Sequence, residues 1–323
     1  MPSKVGFVVI GRNEGVRLEH CLRALAPFGA PIVYADSAST DDSAATARSL
    51  GAEVVVLDEE APLTAARGRM AGLAVLQSRY PECRYVHFID GDCVLQPAWL
   101  PRAIAFLDEH ANVAAVCGQR FEAVPGASPY NQLIDIEWNT PVGQADACGG
   151  DALMRITALE QVGGFGPDLR AGEEPELCAR LRAAGWKIWR LEGLMAEHDA
   201  RITSFGQWWK RALRSGYGYA QVWQRTRKLA TPLYRGELRR ALLWAGAIPL
   251  GWVAGAALFR NPAILLGLPV TYGLQIVRLA LRHSHPSLRW QYAVLTVATK
   301  FAELAGAIRY WTGSQSRKLT SYR

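Results

Sequence analysis

Chemistry concentrates in short polar segments that each follow an apolar run. Tyr85-Val-His-Phe-Ile-Asp90-Gly91-Asp92 carries a hydrophobic stretch into two carboxylates one glycine apart. At a strand exit that spacing lets both address one ligand zone, and glycine permits a tight bend. Hard carboxylate oxygens suit Mg2+ or Mn2+, often shared with substrate phosphates. A solvated turn is the plainer alternative, but the place after the fourth apolar run favours a ligand zone. Arg12-Asn13-Glu14 leaves the first run, and Asp36-Ser37-Ala-Ser39-Thr40-Asp41-Asp42 leaves the second. Thr40–Asp42 fit simple helix capping, whereas Asp36 sits at the exit itself. Arg67 and Arg69 stand on an otherwise apolar helical pattern. Arginine matches a diphosphate, and a solvated helix face is the competing explanation.

The elements that must position these groups follow from the spacing of apolar residues. Val5–Ile10, Ile32–Ala35, Glu53–Leu57 and Tyr85–Ile89 read as buried strands, with Arg17–Leu25, Asp42–Leu50 and Leu63–Gln77 as helices between them. Such alternation predicts an α/β fold with a mostly parallel sheet, whose ligands bind beyond the carboxyl ends of the strands. The 323 residues carry 36 Lys and Arg against 29 Asp and Glu, a net charge of +7. With anions so nearly matching cations, a nucleic-acid arm is excluded. The surplus fits anionic lipid or phosphorylated substrates. None of the six cysteines forms a C-x-x-C pair, which argues against a zinc ribbon or redox motif. Met1–Lys4 leads directly into a strand-like run, not a secretory leader, so the expected compartment is the reducing cytosol.

The composition changes near residue 230. Ala241–Phe259 has no charge, Asn261-Pro262 makes a turn, and a second uncharged run follows to Val277. A bilayer core needs roughly 20 helical residues. Arg278 and Arg282 extend the second run if they snorkel. The expectation is a domain over 1–230 followed by membrane-associated helices over 231–323, with spans at about 241–259 and 262–281. Arg235, Arg239 and Arg240 precede the first run, Arg278, Arg282 and Arg289 follow the second, and only Arg260 lies between. The positive-inside bias puts both flanks, and the basic tail Arg317-Lys318…Arg323, in the cytosol. A third segment, about 291–312, repeats Val294, Val297, Phe301, Leu304 and Ile308 at helical spacing. It is expected to lie amphipathically on the membrane surface.

Taken in order, these motifs resemble those of the family 2 glycosyltransferases. The matching residues are Asn13-Glu14, Asp36 with Ser39-Thr40-Asp41, and Asp90-Gly91-Asp92, then Cys148-Gly149-Gly150-Asp151, then Gly172-Glu173-Glu174 before a helix. The resemblance covers roughly residues 4–230. It implies the GT-A fold, Rossmann-like, with a mixed, mostly parallel sheet, flanking helices and here a hydrophobic helical C-terminal region. It also implies a hexosyltransferase that inverts the anomeric carbon of a UDP- or GDP-type nucleotide-sugar donor. Asn13, Glu14, Asp36, Arg67, Asp90, Gly91 and Asp92 would bind that donor. Asp92, Asp90 and His198 would hold Mn2+ or Mg2+. Gly149, Gly150 and Asp151 would face the acceptor, and Glu174, with Glu173 in reserve, would be the general base. The usual Glu-Asp pair is Glu173-Glu174 here, and Met70 replaces a common Asn.

The expected reaction sits at the cytosolic face of the cytoplasmic (inner) membrane, in polysaccharide or cell-envelope synthesis. Its acceptor is lipid-linked or a surface glycan, since a soluble acceptor needs no membrane segments. Gln207-Trp208-Trp209-Lys210-Arg211 only partly matches the box of processive relatives, which argues against a polymer synthase. Two rival readings fit the sequence less well. A sugar-nucleotidyltransferase needs a glycine-rich phosphate loop, and Gly11-Arg-Asn-Glu-Gly15 is a poor one. A non-catalytic membrane protein with a degenerate domain would not be expected to keep Asp90, Asp92 and Glu174.

Overall fold

The computed structural model describes residues 4–313, so the basic tail falls outside the described residues. The chain builds β1 (Val5–Gly11), α1 (Val16–Leu25), β2 (Ile32–Asp36), α2 (Ser43–Ser49), β3 (Glu53–Val56), α3 (Ala65–Arg79) and β4 (Tyr85–Asp90). Then come β5 (Cys93–Leu95), α4 (Trp99–Glu109), β6 (Val113–Glu122), α5 (Pro129–Trp138), β7 (Gly143–Ala145), β8 (Ala152–Arg155) and α6 (Ile156–Val162). The sheet-bearing part closes with α7 (Glu173–Ala183), β9 (Lys187–His198) and α8 (Phe205–Thr226). The expected strands and helices before residue 91 all form, within a residue or two of their expected ends.

One sheet runs β3-β2-β1-β4-β8-β6-β9-β5, with β7 also on β9. β3, β2, β1 and β4 are mutually parallel, and β8 runs antiparallel between β4 and β6. The sheet is thus mixed and mostly parallel, flanked by helices. Register matters for the site: Gly11 pairs with Asp36, and Ile10 with Asp90. The three polar exits therefore end at one level of the sheet. Phe7, Val8, Tyr34, Phe88 and Ile89 are almost wholly buried beneath that level. Continuous apolar runs are what a parallel strand covered on both faces requires.

Past residue 230, Arg235–Leu258 and Pro262–Arg282 are long and apolar enough to cross a membrane, with mean hydropathies of 1.7 and 1.6. Only 6% of each apolar window is buried, so neither is the core helix of a soluble domain. Leu250, Leu258, Leu274 and Leu281 point outward, each at least 66% exposed. The first helix passes through a π turn, Leu243–Ala247, just before Pro249. A proline cannot donate to the i−4 carbonyl, so the ladder is interrupted there.

The terminal helix, Arg289–Trp311, corrects one expectation in part. Its face is not wholly left for a lipid surface, because it packs along α8. Ala293, Ala302, Gly306 and Ala307 are buried, while Val294, Phe301 and Ile308 remain exposed. At the crossing the backbones touch. A Cβ on Gly216 would sit 2.0 Å from the Glu303 carbonyl oxygen, and one on Gly306 2.1 Å from that of Leu213. At Gly216 and Gly306, no larger residue fits without moving a helix. α8 is fixed at its start by a capping box in which Ser204 and Gln207 bond each other's backbone N–H.

Candidate active site

The site forms where β4, β9 and the start of α7 meet. The D-x-D turn links β4 to β5, and Gly91 N donates to the Ile10 carbonyl at 2.7 Å. Glycine is needed there for space, not for an unusual backbone angle. A Cβ would lie 3.2 Å from that carbonyl oxygen and 3.3 Å from Glu14 Cγ. Antiparallel pairing of β5 with β9 sets Cys93 opposite His198, which brings the imidazole beside Asp92, Nε2 3.4 Å from Oδ2. The Trp138 ring meets His198 edge-on at 4.8 Å between centroids.

Three arginines gather the acids. Arg69 spans Asp90 at 2.9 Å and Glu173 at 2.7 Å, and its side chain is only 3% exposed. Arg17 joins Glu14 to Asp92, the latter at 3.5 Å. Arg120 reaches the buried Asp151 at 3.4 Å and lies over the Trp138 ring at 5.0 Å. Burial, with Asp151 nearby, pushes the Asp90 carboxyl up to about 6. Burial acts the same way on Asp92, but His198, Arg17 and Arg120 outweigh it and hold Asp92 below the usual range. Burial opposes a charge on His198, yet the Asp92 partner raises it overall. Burial and Asp92 raise Glu14.

The residues fit a hard divalent cation. A carboxylate oxygen of Asp92, the Cys93 sulfur and a His198 ring nitrogen lie within 4.8 Å of one another. Among the described residues, buried His198 Nδ1 has no hydrogen-bond partner. Burial drives the Cys93 thiol far above its usual range and the sulfur donates to Asp151, which leaves Asp92 and His198 as the candidate donors; Asp90 lies outside this group and is paired with Arg69. Carboxylate oxygen plus imidazole is a donor set suited to Mn2+.

Other expected residues take different places. Asp36 accepts from Tyr34 and Ser39 and is 1% exposed. Asn13 clasps the β2 exit, with its N–H on Ser39 and its side-chain oxygen on Thr40 N. Arg67 is spent on the loop before α3, bonding Asp58 and the Ala61 carbonyl. Arg69, two residues on, faces the carboxylates instead. Asp151, expected on the acceptor side, is fully buried and accepts the Asp90 N–H at 2.9 Å. Gly149 and Gly150 do face the site; a Cβ on Gly150 would lie 2.9 Å from Arg69 and 3.3 Å from Asp90. Glu174, the first-ranked base, lies behind Glu173. It is 6% exposed and accepts from Cys148 N at 2.5 Å and Cys178 Sγ at 3.0 Å. Glu173 is the member of the pair that faces the D-x-D acids. The contacts of Arg17 with Asp92, of Arg69 with Asp90 and Glu173, and of Arg120 with Asp151 had no local signal, since each crosses a large sequence gap.

Comparison with known proteins agrees with this arrangement. Residues 7–162 match Glycosyl transferase family 2. Glycosyltransferase AglE of Haloferax volcanii is 24% identical over 264 residues, 77% of this chain and 81% of that one. Succinoglycan biosynthesis protein ExoA of Rhizobium meliloti is 25% identical over 290 residues, 81% and 86% respectively. An uncharacterized glycosyltransferase of Mycobacterium bovis is 30% identical over 184 residues, 56% of this chain and 79% of that one. Among solved structures, mannosyltransferase PcManGT from Pyrobaculum calidifontis, in complex with GDP-Man and Mn2+, superposes with a TM-score of 0.67 at 16% identity, covering 98% of this chain and 89% of that one. Sheet order, site placement and these likenesses converge: the chain belongs to the family 2 glycosyltransferases and has their GT-A fold.

Proposed function

We propose that the chain moves a sugar from a nucleotide-sugar donor, of UDP or GDP type, to a lipid-linked or surface-glycan acceptor, with inversion and with the help of a divalent metal. Residues 1–230 are the catalytic part, and 231–323 attach it to the membrane, the site facing the cytosol. The observation that carries the reading is the convergence of Asp90, Asp92, His198, Arg69 and Glu173 at the carboxyl ends of β4 and β9. Asp92 and His198, with Asp90, would hold Mn2+ or Mg2+. Such an ion supplies Lewis-acid stabilisation of the leaving diphosphate.

The chain's own residues do the rest. Glu173 takes the proton of the acceptor hydroxyl as its oxygen bonds the anomeric carbon. The bond from that carbon to the diphosphate oxygen breaks, and the electron pair leaves with the nucleotide. Arg69 ties Glu173 to Asp90, so base and diphosphate side stay in fixed relation. Glu174 positions the Cys148–Gly150 segment from behind. Asp36 and Asn13 shape the nucleoside end, and Glu14 holds Arg17 against Asp92. The test is donor turnover in purified full-length protein, starting with GDP-mannose and Mn2+, the ligands of the PcManGT complex. UDP-sugars follow. Metal-dependent cleavage that Asp92→Ala abolishes is the expected result. Full turnover in chelator, or in Asp92→Ala, would overturn the metal assignment.

A further inference from the structure

A second cluster of ligating side chains lies behind Glu173, apart from the D-x-D turn. Glu174 and Cys178 stand one turn apart on α7, so their side chains share a helix face. That face meets Cys148, which precedes Gly149 and Gly150 in the segment between β7 and β8. Gly149 makes the turn there with φ of 82°, in the region that favours glycine. All three side chains are buried. Their ligand atoms lie within 4.8 Å of one another. Cys148 Sγ is 3.6 Å from Cys178 Sγ, and Cys178 Sγ is 3.0 Å from Glu174 Oε1.

Charge distinguishes this cluster from ordinary core thiols. The neighbouring acids each have a basic partner: Asp90 and Glu173 have Arg69, Asp92 has Arg17 and His198, Asp151 has Arg120, and Glu176 has Arg180. Glu174 instead accepts from the Cys148 N–H and the Cys178 thiol, with no ion pair of its own among the described residues. A buried carboxylate without a cation is costly. The two thiols beside it indicate which cation belongs there, because thiolate sulfur selects Zn2+ over Mn2+ or Mg2+. Tetrahedral sulfur ligands about 2.3 Å from zinc stand about 3.8 Å apart, close to the 3.6 Å between the two sulfurs here. Glu174 needs only a small outward shift to match. Cys117 lies outside the group, which leaves the fourth position to water.

We infer that Cys148, Glu174 and Cys178 form a Zn2+ site separate from the D-x-D centre, and that the ion ties the Cys148–Gly150 segment to α7. On binding, two Zn–S bonds form as the two S–H bonds break, and both protons pass to solvent. A Glu174 oxygen is the third protein ligand, exchanging its thiol donor for the metal. The cluster's net charge is the same before and after, because the two thiolates offset the charge of the ion. Gly150 borders Arg69 and Asp90, so the ion fixes one wall of the active site without taking part in transfer. The site needs no donor, no acceptor and no second metal to fill.

Cobalt reads the site without any sugar. Full-length Asp92→Ala protein in detergent, its D-x-D centre disabled, is titrated with Co2+ under reducing conditions. Thiolate-to-cobalt charge-transfer absorption and the visible bands of a tetrahedral ion should appear together and saturate at one ion per chain, and Zn2+ should displace both. Zn2+ should also raise the melting temperature by at least about 3 °C, where Mn2+ at the same concentration does not. Cys148→Ser and Cys178→Ser in that background should each lose much of the absorption and most of the Zn2+ gain, while Cys117→Ser keeps both. The gain is the difference with and without Zn2+ within one variant, so lowered stability alone does not mimic its loss. An octahedral spectrum without sulfur absorption in Asp92→Ala, which needs no cysteine variant, would overturn the site. So would an unchanged spectrum in the double Cys148→Ser/Cys178→Ser variant. Recovery of Cys148 and Cys178 as a disulfide from acid-quenched cells would show an oxidised pair in place of a metal site.

Discussion

Glu173 and Glu174 are adjacent, nearly identical in chemistry, and turned to different tasks, so a paired Gln substitution separates the roles. Glu173→Gln keeps shape but cannot take a proton. Loss of a general base costs about 10²–10⁴-fold in rate, or roughly 2.7–5.5 kcal/mol of barrier. Arg69 keeps Asp90 as its second partner, so folding should be little affected. In Glu174→Gln the Cys148 N–H, 2.5 Å from Oε1, exchanges a charged acceptor for a neutral one. Hydrogen bonds to charged groups contribute about 1.5–3 kcal/mol against 0.5–1.5 for neutral ones. The expected loss is therefore about 1–2 kcal/mol of stability, a drop of a few degrees in Tm, with only a modest loss of turnover. The assay is single-donor transfer, with kcat and KM resolved, beside thermal melting of each variant. If Glu174→Gln stops turnover at an unchanged Tm while Glu173→Gln still turns over, the geometric assignment is wrong and the two residues must exchange roles.

Three further outcomes follow from the same geometry. Mn2+ should raise the melting temperature of the donor-free protein, and more so at about pH 7.5 than at about pH 5.5, because metal binding needs the Asp90 carboxyl ionised and burial holds it up to about 6; an equal gain at both values would exclude Asp90 from the metal shell. Gly306→Ala should cost about 1–3 kcal/mol by overpacking the α8 crossing, and a melt within about half a degree of wild type would show that the helices do not touch there. With Asn261→Cys in an otherwise cysteine-free chain, an impermeant thiol reagent should label from outside the cytoplasmic membrane. No labelling, with release of the protein by carbonate, would mean peripheral attachment.

The sequence was most legible where physics is local. β1, β2 and β4 announce themselves as continuous apolar runs, because parallel strands covered on both faces leave no polar position to confuse the period. β8 was invisible: four residues, Ala152–Arg155, reverse direction between β4 and β6, and nothing local dictates that insertion. Arg67 and Arg69 show a similar limit. Two positions apart on a helix they point to opposite sides, but only the packing of α3 on the sheet decides which side is the site. The Glu pair is subtler. The family pattern ranks Glu174 first, while its contact with Cys148 is set by tertiary packing. His198 was singled out by the family pattern alone, and its pairing with Asp92 depends on the register of β5 on β9.

The close backbone contact between α8 and the terminal helix has a consequence in time. α8 cannot cover Ala212, Leu213 and Tyr217 until the Arg289–Trp311 segment exists, and the ribosome makes its end about 85 residues after Thr226. At roughly 5–20 residues per second that is a delay of about 4–17 s. The two apolar helices emerge within that interval, before the fastener that closes over their ends. Chain direction therefore gives the hairpin its opportunity to enter the proposed bilayer first, with the catalytic half locked to it last. A chain stopped short of Arg289 would hold every residue of the active site and lack the clasp.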